Sequence, residues 1–373
     1  MRPASIRVWL TPVLAAGLLG TTACATTSTR EIELDPAAVE AEKARQRQLA
    51  LERQTAYQER LADLAYPLLA SATPLCGADA GPRLGVHFAN RHLYEDEWRQ
   101  AAEVALGLGD TVQVVTVTDS SAADRAGLEP GDRLVRVDGW PVPAGGEAVK
   151  ALSERLDTAL EGTDDTIRID YRRSAGPGTA ELVPDVVCDY PVRVLRASPL
   201  NAFADGDAIY VTTTMMRFAE EDELSVVLAH ELAHNAMDHI EAQQQNAILG
   251  GILGVLVDVA AATQGVNTGG AYAAQGAELG SMSHSQGFER EADYVGLYAM
   301  ALAGLPLDDA PHFWRQMAQE NPEAIDFAHT HPTSASRFLR MEKAVEEIRA
   351  KQEKGVPLRP EMQDDEEGEG EDG

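Results

Sequence analysis

Two histidines four residues apart, His230 and His234, with Glu231 between them, constrain this chain more than any other feature. Positions i and i+4 share one face of an α-helix, so both imidazoles point at one spot. Two neutral imidazole nitrogens placed this way can hold one metal ion. The pattern H-E-x-x-H is that of a zinc site whose glutamate takes a proton from water at the metal. Such a site needs a rigid, buried helix, and the flanks predict one. Glu220, Glu221, Asp222 and Glu223 put acid at a helix N-terminus, where the dipole favours it. Leu224, Val227, Leu228 and Leu232 then recur at helical spacing and predict a buried face. His239 lies about 140° around the helix from His234 and is not read as a ligand. On the pentamer alone, two histidines in a satisfied polar cluster remain the competing reading.

A catalytic zinc needs a third protein ligand and an open fourth position. Glu289 is the best candidate, because Glu289 and Asp293 are again i and i+4 and share a helical face. Glu289 would bind the metal, with Glu291 as the competing ligand. Asp293, one turn on, would accept the second N–H of a ligand histidine and fix its tautomer.

The segments His230–His234 and Glu289–Asp293 together resemble the HtpX-like and CAAX-prenyl-endopeptidase-like zinc metallopeptidases, whose soluble periplasmic branch includes BepA-like proteins. Two further stretches carry the resemblance: Asn201-Ala202-Phe203-Ala204 with Ile209-Tyr210-Val211, and His331-Pro332 followed by Ser334, Ser336 and Arg337. It covers roughly residues 190–350 and implies one Zn2+ held by His230, His234 and Glu289. It further implies that Asn201 and His331 steady the oxyanion, with His329 a rival for the second role, and that His331 is a reversible fourth ligand at rest. The alternation at Ala208–Thr212 separately predicts a short strand. An exposed strand edge beside the metal could bind an extended peptide through main-chain hydrogen bonds.

The front of the chain sets the expected compartment. Arg2 and Arg7, an apolar run from Val8 to Gly20, and small residues before Cys24 read as a secretory signal. The small residues before Cys24 resemble a lipoprotein signal, which implies lipidation of Cys24 and, in a Gram-negative cell, the inner face of the outer membrane. Simple signal cleavage near Ala23 or Ala25 and an uncleaved anchor are the alternatives. Once Cys24 is set aside, Cys76 and Cys188 remain, a candidate disulfide in an oxidising compartment.

Between those cysteines, Gly131-Asp132 and Asp138-Gly139 are turn signals around the alternating run Leu134–Val137. The run Ala126-Gly127-Leu128-Glu129-Pro130-Gly131-Asp132 resembles the core of HtrA-type PDZ domains. That resemblance implies that Leu84, Gly85 and Val86 form a loop whose backbone N–H groups capture a peptide C-terminus.

The fold expected is α+β: a mainly helical zincin-type metallopeptidase domain with a short edge-strand sheet, preceded by a small β-rich PDZ-like domain. The boundaries expected are a signal with lipidated cysteine at 1–24, a linker and N-terminal helix at 25–82, the PDZ-like domain at 83–185, the peptidase domain at 190–350 and an acidic tail at 351–373. The insert 247–287, apolar and then rich in glycine and alanine, is read as a lid over the cleft, with membrane contact as the alternative. A net charge of −29 argues against nucleic acid and against adsorption to anionic lipid, so membrane attachment would rest on the lipid anchor. Two functions follow: a zinc endopeptidase acting on unfolded or misassembled envelope proteins in quality control, or a PDZ-bearing lipoprotein that binds or chaperones them with little hydrolysis.

Overall fold

The structure is a computed structural model that describes residues 32–161, 166–245, 285–320 and 335–362. Residues 1–43 and 44–373 are separate compact units. Among the described residues, the first includes the opening turns of helix α1 (Pro36–Ser71). Everything below belongs to the second unit. The signal region, Cys24, His329, His331, the acidic tail beyond 362 and most of the 247–287 insert lie outside the described residues.

A six-stranded antiparallel sheet occupies the region between the cysteines. Its strands are β2 (Val86–Ala89), β3 (Gln113–Val117), β4 (Arg133–Val137), β6 (Ile167–Arg173) and β7 (Gly176–Leu182), in the order β2-β3-β4-β6-β7, with the short β5 (Trp140–Pro141) paired to β4. The strand expected at Leu134–Val137 is β4. Alternate residues of these strands face inward, and Val114, Leu134, Ile167, Ile169 and Leu182 pack with Leu152 and Leu156 of a helix at Ala148–Leu160. This core is distinct from that of the rest of the unit. A ribbon of β1 (Ala80–Arg83) and β8 (Asp185–Cys188) closes the region, and a disulfide joins Cys76 to Cys188 beside it.

A second, three-stranded sheet stands next in the chain: β9 (Val192–Leu195), β10 (Ala202–Ala204) and β11 (Ile209–Thr212), in the order β10-β11-β9. Its two edges differ. The outer edge of β9 is closed by α1, where Gln54 donates to the Val194 carbonyl at 3.1 Å and Gln58 donates to the Val192 carbonyl at 2.8 Å. Gln58 also accepts from the Val194 N–H at 3.0 Å. Side-chain amides thus pair backbone groups that would otherwise invite another strand. Strand β10 forms the opposite edge.

Helix α2 (Glu221–Ala236) runs through the middle of the larger core. Its start is set by a capping box in which the Glu220 side chain accepts from the third helical N–H and Glu223 accepts from the Glu220 N–H at 2.8 Å. The sequence predicted one buried face; instead every residue from Leu224 to Asn235 is buried. The cause is packing on more than one side, by the β10–β11 hairpin and by helices α3 (Ser285–Leu302) and α4 (Asp309–Glu320). A last helix, α5 (Ala335–Lys354), packs on α3 and α4 through Met341, Val345 and Ile348. Among the described residues, no helix is long and apolar enough to cross a membrane.

Candidate metal centre

Helix α2 contributes His230 and His234, and helix α3 contributes Glu289 and Asp293. The two helices touch where α3 carries Gly296. A Cβ added there would stand 3.0 Å from the Ala229 carbonyl oxygen and 3.2 Å from the His230 nitrogen. Only a hydrogen in place of a side chain allows the backbones so close, which sets the Glu289 turn against the His230 turn.

The three expected donors converge. His230 Nε2 lies 3.2 Å from His234 Nε2 and 3.5 Å from a Glu289 carboxylate oxygen; the other Glu289 oxygen is 3.3 Å from His234 Nε2. Two donors each about 2.1 Å from one tetrahedral ion stand roughly 3.4 Å apart, so the spacing suits a single zinc-sized cation. All three residues are buried, at 2%, 7% and 6% exposure. The donor set, two imidazoles and a carboxylate, is that of a catalytic zinc with one position left open.

Electrostatics prepare the two imidazoles differently. Burial alone would lower the His230 pKa, but the Asp293 and Glu289 carboxylates outweigh it and push the value up to about 9. His234 is held below its ordinary range by burial, so it stands neutral, as a ligand must. Asp293 Oδ1 is 3.0 Å from His230 Nδ1, the position from which it orients the ring. Asp293 is in turn gripped by Arg337 of α5, whose fork reaches both of its oxygens at 2.6 and 2.7 Å. Burial would raise the Asp293 carboxyl; the Arg337 guanidinium and His230 hold it low. The Arg337 guanidinium also lies 3.9 Å over the Trp314 ring, and that ring meets His230 edge-on at 5.0 Å. The sequence shows Arg337 only as part of the segment after His331. Nothing local reveals that it reaches Asp293.

His239 departs from the helical expectation. Helix α2 ends at Ala236, and Asp238 takes a left-handed φ of 53° that turns the chain back. His239 therefore comes to 3.1 Å from His234 Nδ1, while Glu291, the competing ligand, lies 3.0 Å from His239 on its far side. Glu231 is 2% exposed on the same helix. Asn201 sits at the head of β10, where its N–H faces Thr212 Oγ1 at 3.3 Å and its carbonyl accepts from the Thr212 N–H at 3.1 Å. Asn235, directly after His234, ties the β10–β11 turn to α2 by accepting from the Gly206 N–H at 2.9 Å and donating to the Ala208 carbonyl at 3.3 Å.

A second recess lies at Leu84–Val86, where a cavity of about 960 Å³ opens between that loop, Trp98, Leu156 and the α1 residues Gln58 and Tyr66. Gly85 has a φ of +68°, and a Cβ there would collide with Ser121, so the loop depends on glycine.

Residues 183–345 match the family model for peptidase family M48. The beta-barrel assembly-enhancing protease of Yersinia pestis is 32% identical over 150 residues, covering 37% of this chain and 31% of that protein. The mitochondrial metalloendopeptidase OMA1 of Schizosaccharomyces pombe is 30% identical over 180 residues, covering 44% of this chain and 49% of that protein. The chain thus spans a third to a half of the length of these relatives. A crystal structure of the HtrA3 PDZ domain with a phage-derived ligand matches 29% of this chain at 19% identity, with a TM-score of 0.21 that carries no weight. The expected resemblance to zinc metallopeptidases is met: residues 183–345 match the model of peptidase family M48.

Proposed function

We propose that this chain is a zinc-dependent endopeptidase that cleaves unfolded or misassembled envelope proteins. The observation that carries the reading is the convergence of His230, His234 and Glu289 donors at 3.2–3.5 Å, with Glu231 buried on the same helix. A bound zinc ion supplies a Lewis acid that polarises a scissile carbonyl and makes water acidic enough to act near neutral pH. Glu231 takes that water's proton and returns it to the leaving amine. Asp293, braced by Arg337, keeps His230 Nε2 aimed at the site. Strand β10 offers its edge to an extended substrate, since the β9 edge is already paired by Gln54 and Gln58. Asn201, at the head of β10, and His331 are assigned to the oxyanion.

The names of the relatives support the class: one is a protease enhancing β-barrel assembly, the other a metalloendopeptidase. The signal-like N-terminus supports a periplasmic, lipid-anchored placement through Cys24. The recess at Leu84–Val86 supports a PDZ-like capture of substrate C-termini, and it also favours the second reading, a binding factor with little hydrolysis. One experiment separates the two. The full chain is incubated with denatured casein, with and without chelator, beside Glu231→Gln. Loss of a general base is expected to slow cleavage by roughly 10²–10⁴-fold while bound zinc is unchanged. Equal, chelator-insensitive turnover by both proteins rules the mechanism out. Full zinc occupancy with no cleavage by the wild type selects the binding reading.

A further inference from the structure

Each candidate ligand histidine has a ring nitrogen facing away from the metal, and the two are held by different chemistry. His230 leans on a carboxylate, Asp293, at 3.0 Å. His234 Nδ1 instead faces Nδ1 of another imidazole, His239, at 3.1 Å. His239 presents its own Nε2 to Glu291 at 3.0 Å. The His239 ring is 2% exposed and stacked on Phe288, with centroids 4.6 Å apart and planes 21° from parallel. It reaches this position only because the chain reverses at Asp238.

We infer that His239 is a positioning residue for the metal: it fixes the tautomer and orientation of His234 and is itself fixed by Glu291. The inference rests on the zinc reading proposed above. Its logic is one of donors and acceptors. A ligand histidine that gives its Nε2 lone pair to a metal carries its proton on Nδ1. That N–H must donate, so His239 Nδ1 must accept, and the His239 proton must sit on Nε2. There it donates to the Glu291 carboxylate. The chain Glu291–His239–His234 therefore runs in one direction and ends at the metal. It joins a half-exposed carboxylate to a buried ligand through a neutral ring, where a carboxylate directly beside His234 would have added one more negative charge to a site already rich in buried carboxyl groups.

The test uses the full chain and zinc alone as probe, with affinity measured by competition against a chromophoric chelator. His239→Leu removes the acceptor and is expected to weaken zinc binding by roughly 10–100-fold. His239→Asn returns an acceptor near the Nδ1 position and is expected to recover most of that loss, whereas His239→Gln, whose amide reaches the Nε2 position, is not. In the zinc-loaded wild type, nitrogen-15 histidine spectra should show His239 as the neutral Nε2–H tautomer. Wild-type affinity in His239→Leu overturns the inference; so do losses of equal size in Leu and Asn, or a His239 proton on Nδ1. A wild type that binds no zinc instead removes the functional reading itself.

Discussion

Arg337 shows how much a single buried side chain carries. Its guanidinium answers Asp293 and lies 3.8 Å from Glu289, with 4% of its surface exposed. Replacing it with methionine leaves two buried carboxylates without their cation, a change that costs on the order of 3–5 kcal/mol. Thermal unfolding of Arg337→Met should fall most in chelator and partly recover with zinc, which would supply positive charge beside Glu289. Arg337→Lys keeps the charge but loses the two-pronged grip and the stacking on Trp314, and should fall between the two. His230 sets a pH dependence. Its folded pKa of about 9 is above the unfolded value, so its stabilising contribution to the metal-free protein is present below about pH 6.5 and lost as pH rises through 9. Zinc must displace that proton, so zinc affinity should weaken as pH falls below 9, by up to about tenfold per pH unit; chelator competition across pH 6–9 measures it. The three donors that converge were legible because i, i+4 spacing is a local property. Arg337 was not, since it acts 44 residues from Asp293 through tertiary packing. His239 was misplaced because continuing the helix was the only geometry the sequence offered, and the left-handed turn at Asp238 breaks it.

At the scale of elements, the contact between α2 and α3 decides the site. Gly296→Ala gains up to about 1 kcal/mol of helix propensity. It must also push the Ala229 carbonyl away by a few tenths of an ångström, which overpacking studies put at roughly 1–3 kcal/mol. The expected result is a protein that still folds but binds zinc more weakly, because Glu289 moves relative to His230; Gly296→Ser should be worse. Unchanged zinc affinity would show that the helices tolerate the wider spacing. The acidic start of α2 and the strand at Ile209–Thr212 were readable from capping and alternation. The burial of α2 on all sides was not, because the sequence shows how a helix is patterned but not how many neighbours surround it.

For the whole molecule, the six-stranded sheet has its own core, and the disulfide joins its two ends at a sequence separation of 112 residues. Closing a loop of that length contributes up to ~4.7 kcal/mol in the chain-entropy picture. Thermal unfolding of the Cys76→Ser/Cys188→Ser double variant should occur well below that of the oxidised wild type, and reductant should bring the wild type down to match. The strand Arg133–Val137 was readable from the turn signals around it, whereas the closing of the β9 edge by Gln54 and Gln58 was not. The bond also fixes how tension travels. A pull transmitted along the backbone passes from Cys76 to Cys188 through sulfur and never stretches the intervening sheet. A single nick inside that loop would likewise leave one covalently continuous molecule, its peptidase domain still fastened to everything upstream.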